Sequence, residues 1–275
     1  MPNQSPLAQA LILAAGRGER MRPLTAHTPK PLLRVHGKPL LQWHSDALAA
    51  GGFTRQLINA GWLSEQIAAF ISDRFSHFEP SKLPEQLSKS QLSKQKSSEE
   101  NSANPRLVGL SNEQADFGHA LETLGGIVRA LPRLDPVFWV VAGDIYAPDF
   151  VFNQQVYQDF AASEQLAHVW LVPNPAHKPV GDFCVDAHGL LRNLGAGADS
   201  ATADTSYTFS TFALYKQTFF TENICSIAPG NPQGIAAPLA PLLRRAADLG
   251  QISASVYRGA WVDVGTPERL AALNT

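Results

Sequence analysis

Cysteine is nearly missing: the 275 residues contain two, Cys184 and Cys225, outside any CxxC pair. That excludes a disulfide framework and a thiolate-rich structural zinc site, and both thiols are expected to be reduced, buried and inert. Charge is sparse too. Charged residues make up 17% of the chain, and 22 basic against 24 acidic residues give a formal net charge of -2. Without a basic excess, neither nucleic acid nor an anionic membrane surface is an expected partner, so any bound anion must be held by a few placed cations. No apolar run approaches the ~18–20 residues that cross a bilayer. The stretch LAQALILAAG ends in small residues as a leader does, but no Lys or Arg precedes it, and Arg17, Glu19 and Arg20 follow at once. A cytoplasmic chain is expected. The eight histidines show no metal-ligand spacing such as HExxH.

What is present is an apolar fraction of 44%, enough for a sizeable core. Ala10–Ala15 is a continuous apolar run stopped by Gly16, which reads as a strand buried on both faces. Pro39–Ala50 carries apolar residues at helical spacing before Gly51 and Gly52; Gln56–Ala60 reads as a strand and Ser64 as the cap of a helix to about Phe75. Further strands are expected at Arg106–Leu110, Val137–Ala142 and Ala167–Val172, and helices at Leu121–Leu131, Asp149–Ala162 and Pro238–Leu249. From Val180 to Tyr215 shorter strands with glycine turns follow; Val256–Val264 reads as extended, and Thr266-Pro267-Glu268 as a helix start. This alternation predicts one α/β domain over 1–275: a Rossmann-like, mixed but mostly parallel sheet flanked by helices, with a smaller β-rich lobe at about 165–258. The segment 80–105 is rich in Ser, Lys, Gln and Glu and poor in apolar residues, so it is expected to be a mobile surface insertion, with a partner-binding arm as the other reading.

The loop after the first strand resists the common phosphate signatures. A P-loop needs Gly before Lys30, and the dinucleotide fingerprint needs a third glycine where Met21 stands. The longer pattern is more specific. Leu13-Ala14-Ala15-Gly16-Arg17-Gly18-Glu19-Arg20-Met21-Arg22-Pro23, then Thr25, then Pro29-Lys30-Pro31-Leu32, resembles the signature of the sugar-1-phosphate nucleotidyltransferases.

The resemblance implies a Mg²⁺-dependent enzyme whose partners are small molecules, a nucleoside triphosphate and a sugar 1-phosphate. It implies that Ala14, Ala15, Gly16, Arg17, Gly18, Glu19, Arg20 and Lys30 surround the nucleotide. Physically, the glycines let backbone N–H groups wrap phosphate oxygens, Arg17 offers a fork of donors to the leaving pyrophosphate, and Lys30 brings a point charge to the α-phosphate. Arg17 and Lys30 are thus the expected catalytic cations, while Arg20 reads equally, and Arg22 more readily, as a solvated loop charge or a structural ion pair. Asp144, just past a strand, and Asp263, in WVDVGTP, are the implied metal ligands; Mg²⁺ asks for few protein carboxylates when phosphates complete its shell. Glu113, Glu122, Thr123 and Gly126 are the implied base contacts, although Glu122 also reads as an ordinary first-turn acid. Ala142, Gly143, Asp182 and Ser210 are the implied sugar contacts, with a hairpin-edge acid as the other reading of Asp182.

The segments HTPKPL (27–32), ALETLGGI (120–127), GDF (181–183), YTFS (207–210) and YRGAWVDVGTPERL (257–270) narrow the resemblance to the branch of cell-wall recycling that joins UTP to N-acetylmuramate α-1-phosphate. The chain departs from that branch at Leu124, inside a glycine run, and at Ala142, where relatives carry Asn. Neighbouring branches stay open at this stage: guanylyl transfer to mannose 1-phosphate, thymidylyl transfer to glucose 1-phosphate, cytidylyl transfer to choline phosphate, and a non-catalytic sugar-nucleotide-binding regulator.

Overall fold

The structure is a computed structural model that describes residues 7–77, 106–194, 206–220 and 225–275. The polar segment 80–105 and the turn glycines Gly195 and Gly197 lie outside the described residues. In chain order, β1 (Ala8–Ala14) is followed by β2 (Arg34–Val35), β3 (Lys38–Pro39), α1 (Leu40–Ala50), β4 (Arg55–Ala60), α2 (Ser64–Arg74) and β5 (Ser76–His77). Then come β6 (Leu107–Asn112), α3 (Glu113–Phe117), α4 (Glu122–Ala130), β7 (Leu134–Ala142), β8 (Ile145–Tyr146), α5 (Gln154–Ala162) and β9 (Ala167–Val172). The described remainder is β10 (Phe183–Val185), β11 (Leu191–Asn193), β12 (Thr208–Lys216), α6 (Ala240–Asp248), β13 (Ile252–Val256), β14 (Val262–Asp263) and α7 (Pro267–Ala272).

Eight strands form one sheet in the order β13-β9-β12-β7-β1-β4-β6-β5. Its neighbours pair in parallel except at β12, which runs antiparallel to both β7 and β9. The apolar run of β1 explains its central place. Ala8 and Leu11 pack into one core with Ile127 and Val128 of α4 and Leu242, Leu243 and Ala246 of α6. Ala10, Ile12 and Ala14 pack into the other with Leu41 and Leu48 of α1, Ile67 and Ile71 of α2, and Phe160 of α5. A strand covered on both faces needs apolar residues on both, which is why periodicity two is absent from it.

The expected β-rich region divides. Its strands β9, β12 and β13 complete the main sheet, whereas β10 and β11 make a separate antiparallel hairpin. Three local expectations need correction. Ser64 does not cap α2: Leu63, at φ 51°, precedes the helix, and the Ser64 hydroxyl accepts from Asn112 instead. The helix expected from Asp149 begins at Gln154, because the Asn153 carboxamide oxygen accepts from the N–H groups of Gln155 and Val156. The extended run Val256–Val264 breaks at Val256, and only Val262–Asp263 resumes as a strand, paired with β8 rather than with the main sheet. Thr266 does cap α7, accepting from the N–H of Arg269.

Candidate active site

After β1 and β4 the chain builds outward to β6 and then returns to place β7 on the other side of β1. Open α/β sheets bind ligands at the carboxyl ends of strands where the order reverses in this way. Here those ends are Ala14-Ala15-Gly16 after β1 and Ala142-Gly143-Asp144 after β7. Gly143 donates its N–H to the carbonyl of Leu13 at 2.7 Å, so the two ends are tied together.

A cavity of about 550 Å³ opens there. Ala14, Ala15, Gly16, Gly18, Glu19, Arg20, Lys30, Glu122, Thr123, Ala142 and Asp144, all expected from the sequence, share its wall. The loop is anchored from behind. The Asn59 carboxamide accepts from the N–H of Ala14 at 2.6 Å, and Trp62 donates its backbone N–H to Ala15 at 3.3 Å. Gly18 takes φ 62°, and a Cβ there would stand 3.0 Å from the Thr25 side chain, so the fold itself demands glycine. Gly16 is different: among the described residues nothing lies within 4 Å of a Cβ placed on it, so open cavity space, not packing, is what its missing side chain leaves free. Glu122 also has positive φ, 56°, at the start of α4. Such strain in a non-glycine residue clusters at ligand-binding positions.

Lys30 sits in a short 3₁₀ turn and is only 7% exposed. Its ammonium donates to Asp144 Oδ2 at 2.6 Å and stands 3.9 Å from Asp263 Oδ1. A buried ammonium requires such counter-charges. The two acids arrive by separate routes. Asp144 follows β7 directly. Asp263 is brought in because β14 pairs antiparallel with β8, setting Asp263 opposite Ile145, and Val264 N–H donates to the carbonyl of Asp144 at 3.1 Å. Arg269 holds Asp263 through a 3.0 Å ion pair. Trp261 donates its indole N–H to the carbonyl of Ser210, at an irregularity in the β12–β9 register, which fixes the approach of this segment.

The remaining expected residues lie elsewhere. Arg17 is exposed and stacks its guanidinium 5.5 Å from the Trp62 ring centroid, off the cavity wall. Glu113 does not face the cavity: it is fully buried, and its oxygens accept from Asn59 Nδ2 at 2.7 Å and Leu121 N–H at 2.8 Å. Burial raises its pKa, and the bonds from Leu121 and Asn59 act the other way. Gly126 stands behind the same wall; a Cβ there would fall 2.5 Å from Glu113 Oε1. Both therefore support the start of α4 from inside the fold. Ser210, expected at the sugar, is buried off the cavity wall, and its hydroxyl donates to the Trp170 carbonyl at 2.6 Å and accepts from Phe212 N–H. Asp182 is committed to Lys178, 2.6 Å away, and to the N–H of Phe209.

Two residues were missed from the sequence. Asn59 was visible as a carboxamide after Leu57 and Ile58 near the end of β4, a position that a buried polar group occupies only with partners. His44 lies on the inner face of α1 and donates Nε2–H to the carbonyl of Ile145 at 2.8 Å, next to Asp144. Burial lowers its pKa to about 4, so the imidazole is neutral and a donor there. No signal in its own helix marked it.

The donor set fits a magnesium ion. Two hard carboxylates from two segments converge on one ammonium at a cavity edge, and among the described residues no cluster of three or more His, Cys, Asp or Glu offers a complete protein cage. Mg²⁺ prefers this sparse supply, with phosphate oxygens and water as the other ligands.

Comparison with known proteins agrees with this geometry. Residues 10–86 match the MobA-like NTP transferase domain. The chain is 37% identical over 264 residues to the N-acetylmuramate alpha-1-phosphate uridylyltransferase of Neisseria meningitidis, covering 95% of each chain. The enzyme of that name from Caulobacter vibrioides is 28% identical over 96% of this chain and 94% of its own length. The solved CTP:phosphocholine cytidylyltransferase from Streptococcus pneumoniae shares the fold, with a TM-score of 0.62 over 98% of both chains at 16% identity. With 37% identity to one curated relative over nearly the full length of both, the chain belongs to the sugar-1-phosphate nucleotidyltransferase family, alongside the N-acetylmuramate alpha-1-phosphate uridylyltransferases.

Proposed function

We propose that this protein transfers the uridylyl group of UTP to N-acetylmuramate α-1-phosphate, giving UDP-N-acetylmuramate and pyrophosphate, as a step in the salvage of cell-wall sugar in the cytoplasm. The convergence of Asp144 and Asp263 on Lys30 beside the Gly16–Arg20 loop carries the nucleotidyl-transfer reading. The near full-length similarity to the Neisseria enzyme supports the substrate pair.

In the reaction a phosphate oxygen of the sugar phosphate attacks the α-phosphorus of UTP. The bond from that phosphorus to the bridging oxygen breaks, and pyrophosphate leaves with the electron pair. The attacking phosphate is already ionised, so no general base is required; positioning and charge neutralisation supply the rate. Backbone N–H groups of the Gly16–Arg20 loop hold the β- and γ-phosphates. Lys30 places its charge against the α-phosphate, where negative charge redistributes in the transition state. Asp144 and Asp263 would hold Mg²⁺, which would supply neutralisation of phosphate charge. Glu122 and Thr123 face the cavity where the base is to be read. Incubation with UTP, N-acetylmuramate α-1-phosphate and Mg²⁺ should yield UDP-N-acetylmuramate and pyrophosphate in equal amounts by phosphorus NMR; no nucleotide-sugar product at micromolar enzyme refutes the reading.

A further inference from the structure

A second cavity, about 470 Å³, is lined by Pro173, Asn174, Pro179, Ser206, Tyr207 and Arg258 among others. It lies at the carboxyl ends of β9 and β13, which point the same way as β7, so it opens on the sheet edge that carries Asp144. Only β12 separates β9 from β7. Arg258 follows β13, one strand further out, so at one strand spacing per step its strand end lies roughly 14 Å from that of β7, a gap to be spanned by the long arginine side chain together with a pyranose, its phosphate and its substituent.

The wall of this cavity is built rigidly. Asn174 Nδ2 donates to Ser206 O, Ser206 Oγ and Pro179 O, and its Oδ1 accepts from Thr208. The carboxamide thereby staples the 173–179 loop to the start of β12. Tyr207 continues the wall into the Gly181–Phe183 segment, exchanging backbone hydrogen bonds with Asp182 and Phe183. The neighbouring cation Lys178 is neutralised by Asp182, with both carboxylate oxygens at 2.6 Å. Arg258 is exposed and has no carboxylate partner among the described residues. The result is a firm pocket of mixed polarity, with prolines and one tyrosine beside Asn174 and Ser206, that ends in the exposed Arg258 guanidinium.

N-acetylmuramate differs from N-acetylglucosamine by an ether-linked lactyl arm that ends in a carboxylate. A planar guanidinium takes a carboxylate through two parallel N–H···O bonds, and the proline and tyrosine surfaces suit the methyl group of the arm. We propose that Arg258 is the specificity-determining residue that receives the lactyl carboxylate of the sugar 1-phosphate in this second cavity; the proposal rests on the uridylyl-transfer reading above. It also accounts for a site able to discriminate although Ala142 provides no amide at the first cavity.

The test compares wild type with Arg258→Met and Arg258→Lys, measuring kcat/KM at saturating UTP and Mg²⁺ for N-acetylmuramate and N-acetylglucosamine α-1-phosphates. Wild type is expected to prefer the muramate. Arg258→Met should lose about tenfold or more on the muramate, as for a removed charged hydrogen bond, and stay within twofold on the glucosamine compound. Arg258→Lys should recover part of the preference. Thermal melts should be unchanged, since the side chain is exposed. A muramate-to-glucosamine ratio that Arg258→Met leaves intact, or equal losses on both substrates, overturns the assignment while the proposed function stands. A wild type that favours the uncharged sugar overturns both.

Discussion

Val264 N–H donates to the carbonyl of Asp144 at 3.1 Å, joining the residue after one candidate metal ligand to the backbone of the other. The acids are 119 positions apart in the chain, by their numbers, and the two-residue ladder of β8 and β14 is what makes them one site. Asp144→Asn and Asp263→Asn should therefore each lower pyrophosphate release by about 10³-fold or more, the consequence of losing several kcal/mol of charge stabilisation. Both variants should still fold, with a lowered melting temperature, because each leaves the buried Lys30 ammonium with one carboxylate in place of two. Near-normal turnover in either variant at low Mg²⁺ removes that residue from the metal site.

Lys30→Ala should depress kcat/KM by roughly 10²-fold, as for a lost oxyanion contact, whereas Arg22→Ala, exposed and off the cavity wall, should change it little. Arg17 separates two readings. If it swings from Trp62 to the pyrophosphate, Arg17→Ala resembles Lys30→Ala; if it stays stacked, the loss is small. The account expects the first. Equal losses at all three positions would show a general electrostatic surface instead of a defined cradle.

Two glycines in one loop should behave oppositely. Gly18→Ala forces a side chain into φ 62° against Thr25 and should cost about 1–2 kcal/mol of stability. Gly16→Ala should fold with wild-type stability, since its Cβ meets open space, yet raise KM for the nucleotide several-fold. Denaturant titration and steady-state kinetics on both variants check this; a destabilised Gly16→Ala with unchanged KM contradicts it.

Much of this was legible in the sequence, and the reasons are local. The strand β1, the glycine loop and Asp144 just past β7 follow from short-range patterns, whereas Asp263, which lies within β14, was marked by the family resemblance of WVDVGTP. Glu113 and Ser210 were not legible as buried residues, because nothing near them in sequence reveals that Asn59, Leu121 and Trp170 fill their hydrogen bonds. The pairing of β14 with β8 was hidden for the same reason: a two-residue ladder has no periodicity to read. The place of β12 inside the main sheet was invisible as well, since short strands with glycine turns read the same in a separate lobe as in a sheet partner.

Glu113 supplies a prediction that distinguishes an inner support from a base contact. Glu113→Ala leaves Leu121 N–H and Asn59 Nδ2 without their acceptor in the interior and should destabilise the fold by about 2–4 kcal/mol. A direct base contact would instead alter UTP binding at unchanged stability. Measuring Tm and the KM for UTP together resolves the two.

Stability should fall in mild acid through buried histidines. His168 bonds Ser253 at 2.8 Å, and burial lowers its pKa to about 4 from 6.5; His44 is lowered likewise. Between those values the unfolded chain binds protons that the folded chain excludes, so stability is present above about pH 6.5 and is lost as the pH drops toward 4. From pH 7 to 5 each histidine should contribute a loss of about 2 kcal/mol. His168→Gln, which retains a hydrogen-bonding group for Ser253, should show a smaller loss than wild type in denaturant titrations at the two pH values. An equal loss contradicts the assignment.

The central claim is uridylyl transfer to N-acetylmuramate 1-phosphate, and a substrate matrix tests it most directly. Purified enzyme with Mg²⁺ is offered UTP, CTP, GTP, ATP and dTTP, each crossed with the α-1-phosphates of N-acetylmuramate, N-acetylglucosamine, glucose and mannose, with pyrophosphate release as the readout. The account predicts the highest kcat/KM for UTP with N-acetylmuramate, at least tenfold above every other pair, because a base edge or carboxylate left without its partner in a built site is rejected strongly. A tenfold advantage for GTP with mannose 1-phosphate, or for dTTP with glucose 1-phosphate, would contradict it.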